Sequence, residues 1–487
     1  MDPQPLSVQL PSYPPDVRYD VLVVGGGTAG CVLAARLSEN PDRRVCLIEA
    51  GPDFGPLADG RWPPELLDFR ALPSTHDWGR GGQDRRSLGG RVLGGSSAVN
   101  ACAVVEGTPA DYDEWGGAWS YEQFRPYLQR ARLTLRTTSR NTESPGLFHE
   151  AFVAAALARG LPELADLDDP EEPVGVAPFP ANVFDGVRWN AAAAYLDDCR
   201  ARPNLAILPD TLVDRVVLEG TRAAAVLDAN GRSHHAEVIV LAAGAYFSPA
   251  ILLRSGIGPA SELHGLGIAP ACDLPVGRRL LDHCGTSVTW SLSAELRRDA
   301  AARARTGDLV QPHAIIKGAS THCPPGAWDL HLLSWISPSD ESDAFEASAL
   351  VFHLKPLSHG RVLLRSRDPH EPPLVERGFL SHADDVDPVL EGIDLARRLA
   401  ATEPLAALLD AELRPGALEP EEYVRTTVRN YFHPAGTCAL GSVVDDDGRV
   451  LGVDGLVVAD ASVMPTIPRA NTNLTTAAIA ERLSEVL

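Results

Sequence analysis

The chain has 487 residues, 45% of them hydrophobic and 22% charged, with a formal net charge of −22. That length exceeds what one hydrophobic core organises, so two domains or layers are expected, and the composition excludes a largely disordered chain. An acidic balance without any long basic run gives no electrostatic footprint for nucleic acid.

The opening residues Met1-Asp2-Pro3-Gln4-Pro5 lack the basic and then apolar pattern of a signal peptide. The most apolar early run, 21–24, is far too short to cross a bilayer. The expectation is a soluble cytoplasmic protein without a membrane span. Residues 1–17, rich in proline and polar groups, read as an extended arm. Residues 19–24 (YDVLVV) form a short β-branched run, the pattern of a buried parallel strand. A glycine turn follows, then a helical stretch (CVLAARLSEN), then a second strand at 44–49 (RVCLIE). Strand, helix and strand fit one crossover unit of about thirty residues.

Residues 51–90 read as long surface loops, and 120–160 as helical. The acidic stretch 164–173 reads as a solvated loop. From 205 onward strands return, with Asn230-Gly231 as a hairpin signal and 236–244 as another buried strand ending on glycine. His234 and His235 fall beside that hairpin on a polar edge, where a metal site is not expected. Residues 286–355 are the least readable segment, and 383–430 read as helical and acidic. From residue 431 short strands alternate and end in a final helix. The eight cysteines include no CxxC pair, so neither a zinc site nor a disulfide framework is expected; buried, reduced thiols are.

Gly25-x-Gly27-x-x-Gly30 follows the first strand and opens the helix, with Thr28 and Ala29 inside it. The first glycine permits a tight turn, the second lets the backbone approach a pyrophosphate, and the third lets helix and strand pack closely. Phosphate charge then meets free N–H groups at the positive end of the helix. Glu49, followed by Ala50, ends the second strand, where a carboxylate can accept hydrogen bonds from ribose hydroxyls. This pattern predicts dinucleotide binding without separating FAD from NAD. Gly94-Gly95-Ser96-Ser97 is a small-residue loop, able to hold a phosphate or pass under a flat ring, or to serve as a plain turn.

Residues 90–115 (GRVLGGSSAVNACAVVEGTPADYDEW) and 244–258 (GAYFSPAILLRSGIG) resemble the two signature sequences of the glucose–methanol–choline (GMC) oxidoreductase family. The similarity continues through 258–283, 356–375, 432–441 (FHPAGTCALG) and 453–481, and falls short only at 286–350. The resemblance implies an α/β fold. A Rossmann-like FAD-binding domain is assembled from three stretches, and a second α+β substrate domain has an antiparallel sheet flanked by helices. The implied segments are 17–285, with part of a substrate cap at about 106–203, a variable 286–354, and 355–483.

By the same resemblance, residues 91–103 run along the pyrophosphate and the flavin edge. Arg91, Val92, Gly94, Gly95, Ser96, Asn100, Ala101, Cys102 and Ala103 are its cofactor positions, with Cys102 read as packing. Val213 corresponds to a backbone contact with adenine. Asp460 and Ala461 fall at the ribityl and flavin region, and Thr472 and Asn473 at flavin or backbone contacts. His433 in the FHPAGTC motif is the implied base and Asn471 the second active-site residue, while His283 is read as part of a structural turn. Covalent-flavin relatives attach the ring through a histidine where this chain has Val99, so FAD is expected to be held non-covalently.

The implied reaction oxidises an alcohol to a carbonyl. His433 removes the hydroxyl proton, hydride passes to flavin N5, and O2 or another acceptor reoxidises the flavin. With Trp335 and Phe432 expected in or near the pocket, the substrate is read as a primary alcohol of modest size, aromatic or otherwise apolar. The reduction rate is expected to rise with pH through one ionisation. The family also contains hydroxynitrile lyases, so a lyase or a non-catalytic flavin protein stays open from the sequence.

Overall fold

The computed structural model describes residues 17–79, 88–139, 145–169, 173–178, 180–307, 309, 314–339 and 345–487. The arm expected at 1–17 falls, but for residue 17, outside them. In chain order, β1 (Arg18–Val24) enters the glycine turn, α1 (Thr28–Leu37) follows, and β2 (Val45–Ile48) returns parallel to β1, Val21 opposite Val45. Nine of the ten α1 residues are buried, which its small Ala, Gly and Cys side chains permit.

Next come α2 (Pro109–Asp113), α3 (Tyr121–Thr134) and α4 (Leu147–Ala158), so the helical pattern at 120–160 divides into two helices. β3 (Gly175–Pro178) belongs to the second sheet. β4 (Leu205–Leu208), β5 (Val213–Glu219), β6 (Arg222–Asp228) and β7 (Ser233–Leu241) complete the path β4-β2-β1-β7-β6-β5 of the first sheet. The Asn230-Gly231 turn joins β6 to β7, with Gly231 at φ +83°. His234 departs from the polar edge expected for it: it is buried, with Nε2 3.0 Å from Asp228 Oδ2. β7 ends at the start of α5 (Gly244–Arg254).

The segment that the sequence leaves unread carries the centre of the second sheet. It contains β8 (Cys284–Leu292), α6 (Ala294–Thr306), β9 (Ala314–Gly318), β10 (Leu330–Pro338) and β11 (Phe345–His353). Ser293 caps α6 by accepting the Leu296 N–H. After α7 (Val386–Ala400), the chain does not stay helical through 430: β12 (Leu409–Arg414) pairs with β8 before α8 (Pro420–Thr427) begins. Tertiary pairing with β8 overrides the local pattern there. The sheet order is β12-β8-β11-β10-β9-β3, all antiparallel.

Alternation sorts the two faces of this sheet. Leu330, Leu332 and Ile336 of β10 join the core formed with α4 and α7. Leu333, with Ile315 and Phe352 of the neighbouring strands, packs instead with Cys102 and Ala103. One face therefore meets helices and the other meets the loop that follows the glycine–serine turn.

The chain closes with β13 (Leu456–Val458), parallel to β7, and α9 (Thr472–Val486). Arg36 of α1 binds Glu481 of α9 through Nε and Nη2, at 2.8 and 2.9 Å. No helix among the described residues is long and apolar enough to cross a membrane.

Candidate active site

Three glycines of the first turn do different work. Gly25 has φ +101°, and a Cβ there would lie 2.6 Å from the Ala242 carbonyl oxygen. A Cβ on Gly30 would lie 1.8 Å from the Gly25 carbonyl oxygen, so helix and strand touch backbone to backbone. Gly27 is the N-cap of α1 without a side-chain cap, and among the described residues the only non-adjacent heavy atom within 4 Å of a Cβ there would be Gly95 Cα at 3.9 Å. The space before Thr28 and Ala29, in the first turn of α1, is thus kept clear by two glycines facing each other. A pyrophosphate fits that cradle.

Glu49 stands beside it. Its Oε2 accepts the Gly26 N–H at 2.7 Å and its Oε1 the Gly51 N–H at 2.8 Å. These bonds fix the turn and leave carboxylate lone pairs for ribose hydroxyls. Burial pushes the carboxyl up to about 7. The Ala50 carbonyl accepts from Arg91 Nε at 3.1 Å, and the Gly94 N–H donates to the Gly26 carbonyl at 2.7 Å. Val92 is buried, Ser96 is exposed, and Ser97 Oγ donates to the Gly94 carbonyl at 2.6 Å.

Asn100 Oδ1 accepts the Cys102 N–H at 2.9 Å, steadying Cys102 at φ +62°. Ala101 is half-buried and Ala103 is buried. The Cys102 sulfur accepts a hydrogen bond from Arg188 Nη1 at 3.2 Å and shares an apolar cluster with Ala103 and Leu333. Val213 opens β5 two residues after Thr211, whose N–H donates to the Glu49 carbonyl. Asp460 is more structural than its sequence position suggests. Its carboxylate accepts from Gly244 N, Ser248 Oγ and Ser462 N at 2.8, 2.6 and 2.8 Å, tying α5 to the loop of Ala461. Asn473 Oδ1 accepts from Thr28 Oγ1 at 2.7 Å, so Thr472, Asn473 and the first turn of α1 meet.

The loop after residues 429–430 turns at Phe432, which has φ +64° and is 60% exposed. Phe432 is therefore open to solvent beside His433, while Tyr431 is half-buried and His433 buried. Tyr431 stacks on Phe352 with centroids 3.8 Å apart and lies 4.4 Å from the His433 ring. Trp335 of β10 is half-buried.

His433 belongs to a hydrogen-bond chain whose polarity follows from its far end. His283 Nε2 lies 3.0 Å from the Pro468 carbonyl oxygen, which can only accept, so this nitrogen carries the proton. Burial drives His283 well below its usual range and keeps it neutral, which leaves Nδ1 as an acceptor. His433 Nδ1, 2.8 Å away, must then be the donor. His433 Nε2 is left with its lone pair, facing the Asn471 Nδ2 donor at 3.0 Å. His283 is therefore the partner of His433 and not merely part of a turn. Burial pushes His433 down to about 3, so it is a neutral base across the ordinary pH range. On that direction, a rise of the rate near neutrality would have to come from a group other than His433.

Asn471 is the N-cap of α9 and spends no side-chain bond on capping, so its amide is available to the site. The loop before it is held rigidly. Asp111 of α2 accepts from Arg469 N and Nη1 at 3.0 and 2.5 Å and from Lys355 Nζ at 2.9 Å. Burial opposes charge on Asp111, but Lys355 and Arg469 hold its carboxyl below the usual range. Trp328 Nε1 donates to the Arg469 carbonyl at 3.1 Å. Sequence reading missed Asp111, Tyr431 and the role of His283. Only Asp111 carried a local signal, as N3 of the Thr108 capping box.

GMC oxidoreductase family models match residues 19–285 and 356–480. Human mitochondrial choline dehydrogenase is 32% identical, covering 96% of this chain and 90% of that protein. The 5-(hydroxymethyl)furfural oxidase of Methylovorus sp. (strain MP688) is 34% identical, covering 97% and 99%. Among solved structures, pyridoxine 4-oxidase from Mesorbium loti superposes with a TM-score of 0.81 at 27% identity, covering 96% of this chain and 99% of its own. A fungal aryl-alcohol oxidase gives 0.78 at 25% identity, covering 96% and 98%. The chain belongs to the GMC oxidoreductase family. It is an FAD-dependent oxidoreductase acting on CH–OH groups.

Proposed function

We propose that this site oxidises a primary alcohol to an aldehyde, with His433 as the base and Asn471 holding the reacting oxygen. The polarity of the Pro468–His283–His433–Asn471 chain carries the reading. A hydroxyl entering between Nε2 of His433 and Nδ2 of Asn471 gives its proton to the first and accepts a hydrogen bond from the second. An alcohol pKa lies far above neutral, so this proton must move or be shared as the carbon–hydrogen bond breaks. Asn471 stabilises the developing alkoxide without adding charge. The imidazolium keeps its orientation because Nδ1–H still donates to His283. When bound, FAD supplies the acceptor for the hydride.

A ring-bearing alcohol of modest size is the preferred class. The stacked Tyr431 and Phe352 beside His433 support it, as do the relatives named for 5-(hydroxymethyl)furfural and aryl alcohols. Val99, in place of a linking histidine, supports non-covalent FAD.

An anaerobic screen of alcohols for flavin bleaching tests the activity. Ring-bearing primary alcohols are expected to bleach fastest; a clear preference for glucose or choline overturns the substrate class. Acid precipitation should leave yellow FAD in the supernatant, whereas flavin pelleting with the chain defeats the non-covalent assignment.

A further inference from the structure

His433 sits where two paired segments run out of step. Gly285 and Cys284 of β8 pair with Arg429 and Asn430. The antiparallel pairing resumes at Leu281 and Ala435, which exchange N–H to carbonyl bonds of 2.9 Å in both directions. Between those pairs, Asp282 and His283 stand opposite Tyr431, Phe432, His433 and Pro434. The longer side is a bulge with His433 inside it. Bulges interrupt the ladder, bend the strand and re-aim a side chain, often beside an active site.

A bulged residue loses its partner on the facing backbone. The Tyr431 N–H still reaches the His283 carbonyl at 2.9 Å, and Pro434 has no N–H to give. The His433 N–H instead donates to a side chain, Oδ1 of Asp282, at 2.8 Å, and both residues are buried. The two residues of the shorter side thus divide the hold on His433. Nδ1 of His283 meets its ring, and the Asp282 carboxyl meets its backbone. A ring contact alone lets the imidazole follow the chain that carries it. Here that chain turns at Phe432 with φ +64°, outside any regular ladder.

We infer that Asp282 is a positioning residue for the oxidation: standing in for the missing ladder bond, it fixes the height of the bulge and so the place of His433 Nε2. The inference rests on the reading of His433 as the base. The role is one of reach and not of charge, because a carboxyl oxygen accepts an N–H in the ionised form and keeps acceptor capacity in the neutral one. Asp282 and His283 are then complementary. His283 selects which ring nitrogen of His433 carries the lone pair, and Asp282 selects where that nitrogen stands, 3.0 Å from Asn471 Nδ2.

The test uses the holoenzyme and two variants that separate reach from charge. Asp282→Glu keeps the carboxyl and moves it out by one methylene; Asp282→Asn keeps the reach and removes the charge. Anaerobic flavin reduction by benzyl alcohol is followed over a range of concentrations, with flavin content checked for each protein. Asp282→Glu should lower the limiting rate at least about 10-fold, since a misplacement of about 1 Å can cost on the order of 10²-fold. The alcohol concentration giving half of that rate should change little, and Asp282→Asn should keep most of the rate that Asp282→Glu loses. A slow Asp282→Asn beside a fast Asp282→Glu would assign an effect of charge and overturn the inference, as would equal rates in the two. If Asp282→Glu fails to retain flavin, Asp282→Ala takes its place with the same expected loss. Crystal structures of the variants read the geometry without turnover. The 3.0 Å between His433 Nε2 and Asn471 Nδ2 should persist in Asp282→Asn and lengthen in Asp282→Glu; an unchanged distance in Asp282→Glu overturns the inference. If no alcohol bleaches the flavin of any protein, the oxidation reading fails separately, and the crystal distances decide this one.

Discussion

On the loop side of the site, both ring nitrogens and the backbone N–H of His433 are engaged, by His283, Asn471 and Asp282. On the sheet side, one aromatic ring away, neither nitrogen of His331 is. Both imidazoles are buried and both are held neutral. The chemical step needs one proton-accepting atom in one orientation, and a carbonyl two links away fixes it. His331 has no such anchor: it lies closed off from solvent behind the Tyr431 ring. Two buried neutral imidazoles thus differ in orientation alone, and only the loop-side one is oriented for proton transfer.

The largest effect falls on the saturated side. His433→Ala should slow anaerobic flavin reduction by at least roughly 10²-fold while FAD remains bound, the low end of what a general base contributes. Asn471→Asp should also be slow, because a carboxylate repels the developing alkoxide. Near wild-type bleaching of His433→Ala in stopped flow would show that another group takes the proton.

Next comes the scaffold of that side. Asp111→Ala leaves Arg469 buried without its carboxylate and should cost about 3 kcal/mol, the low end for a broken buried pair because Lys355 is 20% exposed and can reach water. Chemical denaturation measures it. A loss under about 1 kcal/mol would mean that Trp328 and the backbone hold the loop unaided.

His283 is a positioning residue, and its variants ask whether polarity or bulk matters. His283→Phe removes the acceptor for His433 Nδ1–H and should slow reduction about 10-fold. His283→Gln can accept from His433 and donate to Pro468, and should recover most of that loss. Equal rates for Phe and Gln would assign His283 to packing alone.

The smallest expected effect is none. A base pushed down to about 3 binds no proton between pH 5 and 8, so flavin reduction should be level there. Asp282 is the neighbour to control. Burial pushes its carboxyl up to about 7, so it gains charge as pH rises through neutrality, and it accepts the His433 N–H at 2.8 Å. Any step near pH 7 should vanish in Asp282→Asn. A step that persists there would place His433 itself in the neutral range.

The first sheet was readable because its signals are local. A β-branched run, a glycine turn and a helix of small residues lie in succession, and each reports on its own neighbours. The second sheet was not, because its strands are defined by partners far along the chain, as when Leu292 meets Leu409. Residues 409–414 look like helix until β8 is present to pair with them. At the site, His433 and Asn471 stood in recognisable motifs, whereas the tie between His283 and His433 spans 150 residues and leaves no local mark. The positive φ of Phe432 is likewise unmarked, and nothing in the order Tyr431-Phe432 announces it.

The bond between Thr28 and Asn473 joins residues 445 positions apart. Synthesis runs from one end, and domains assembled from early segments can fold as they emerge. Here the nucleotide cradle lacks the α9 side of its wall until nearly the whole of this sequence has been made. Loading of FAD is therefore expected late in biogenesis, after α9 has joined the cradle. Chains cut short before α9 should stay colourless however well their first strands have folded.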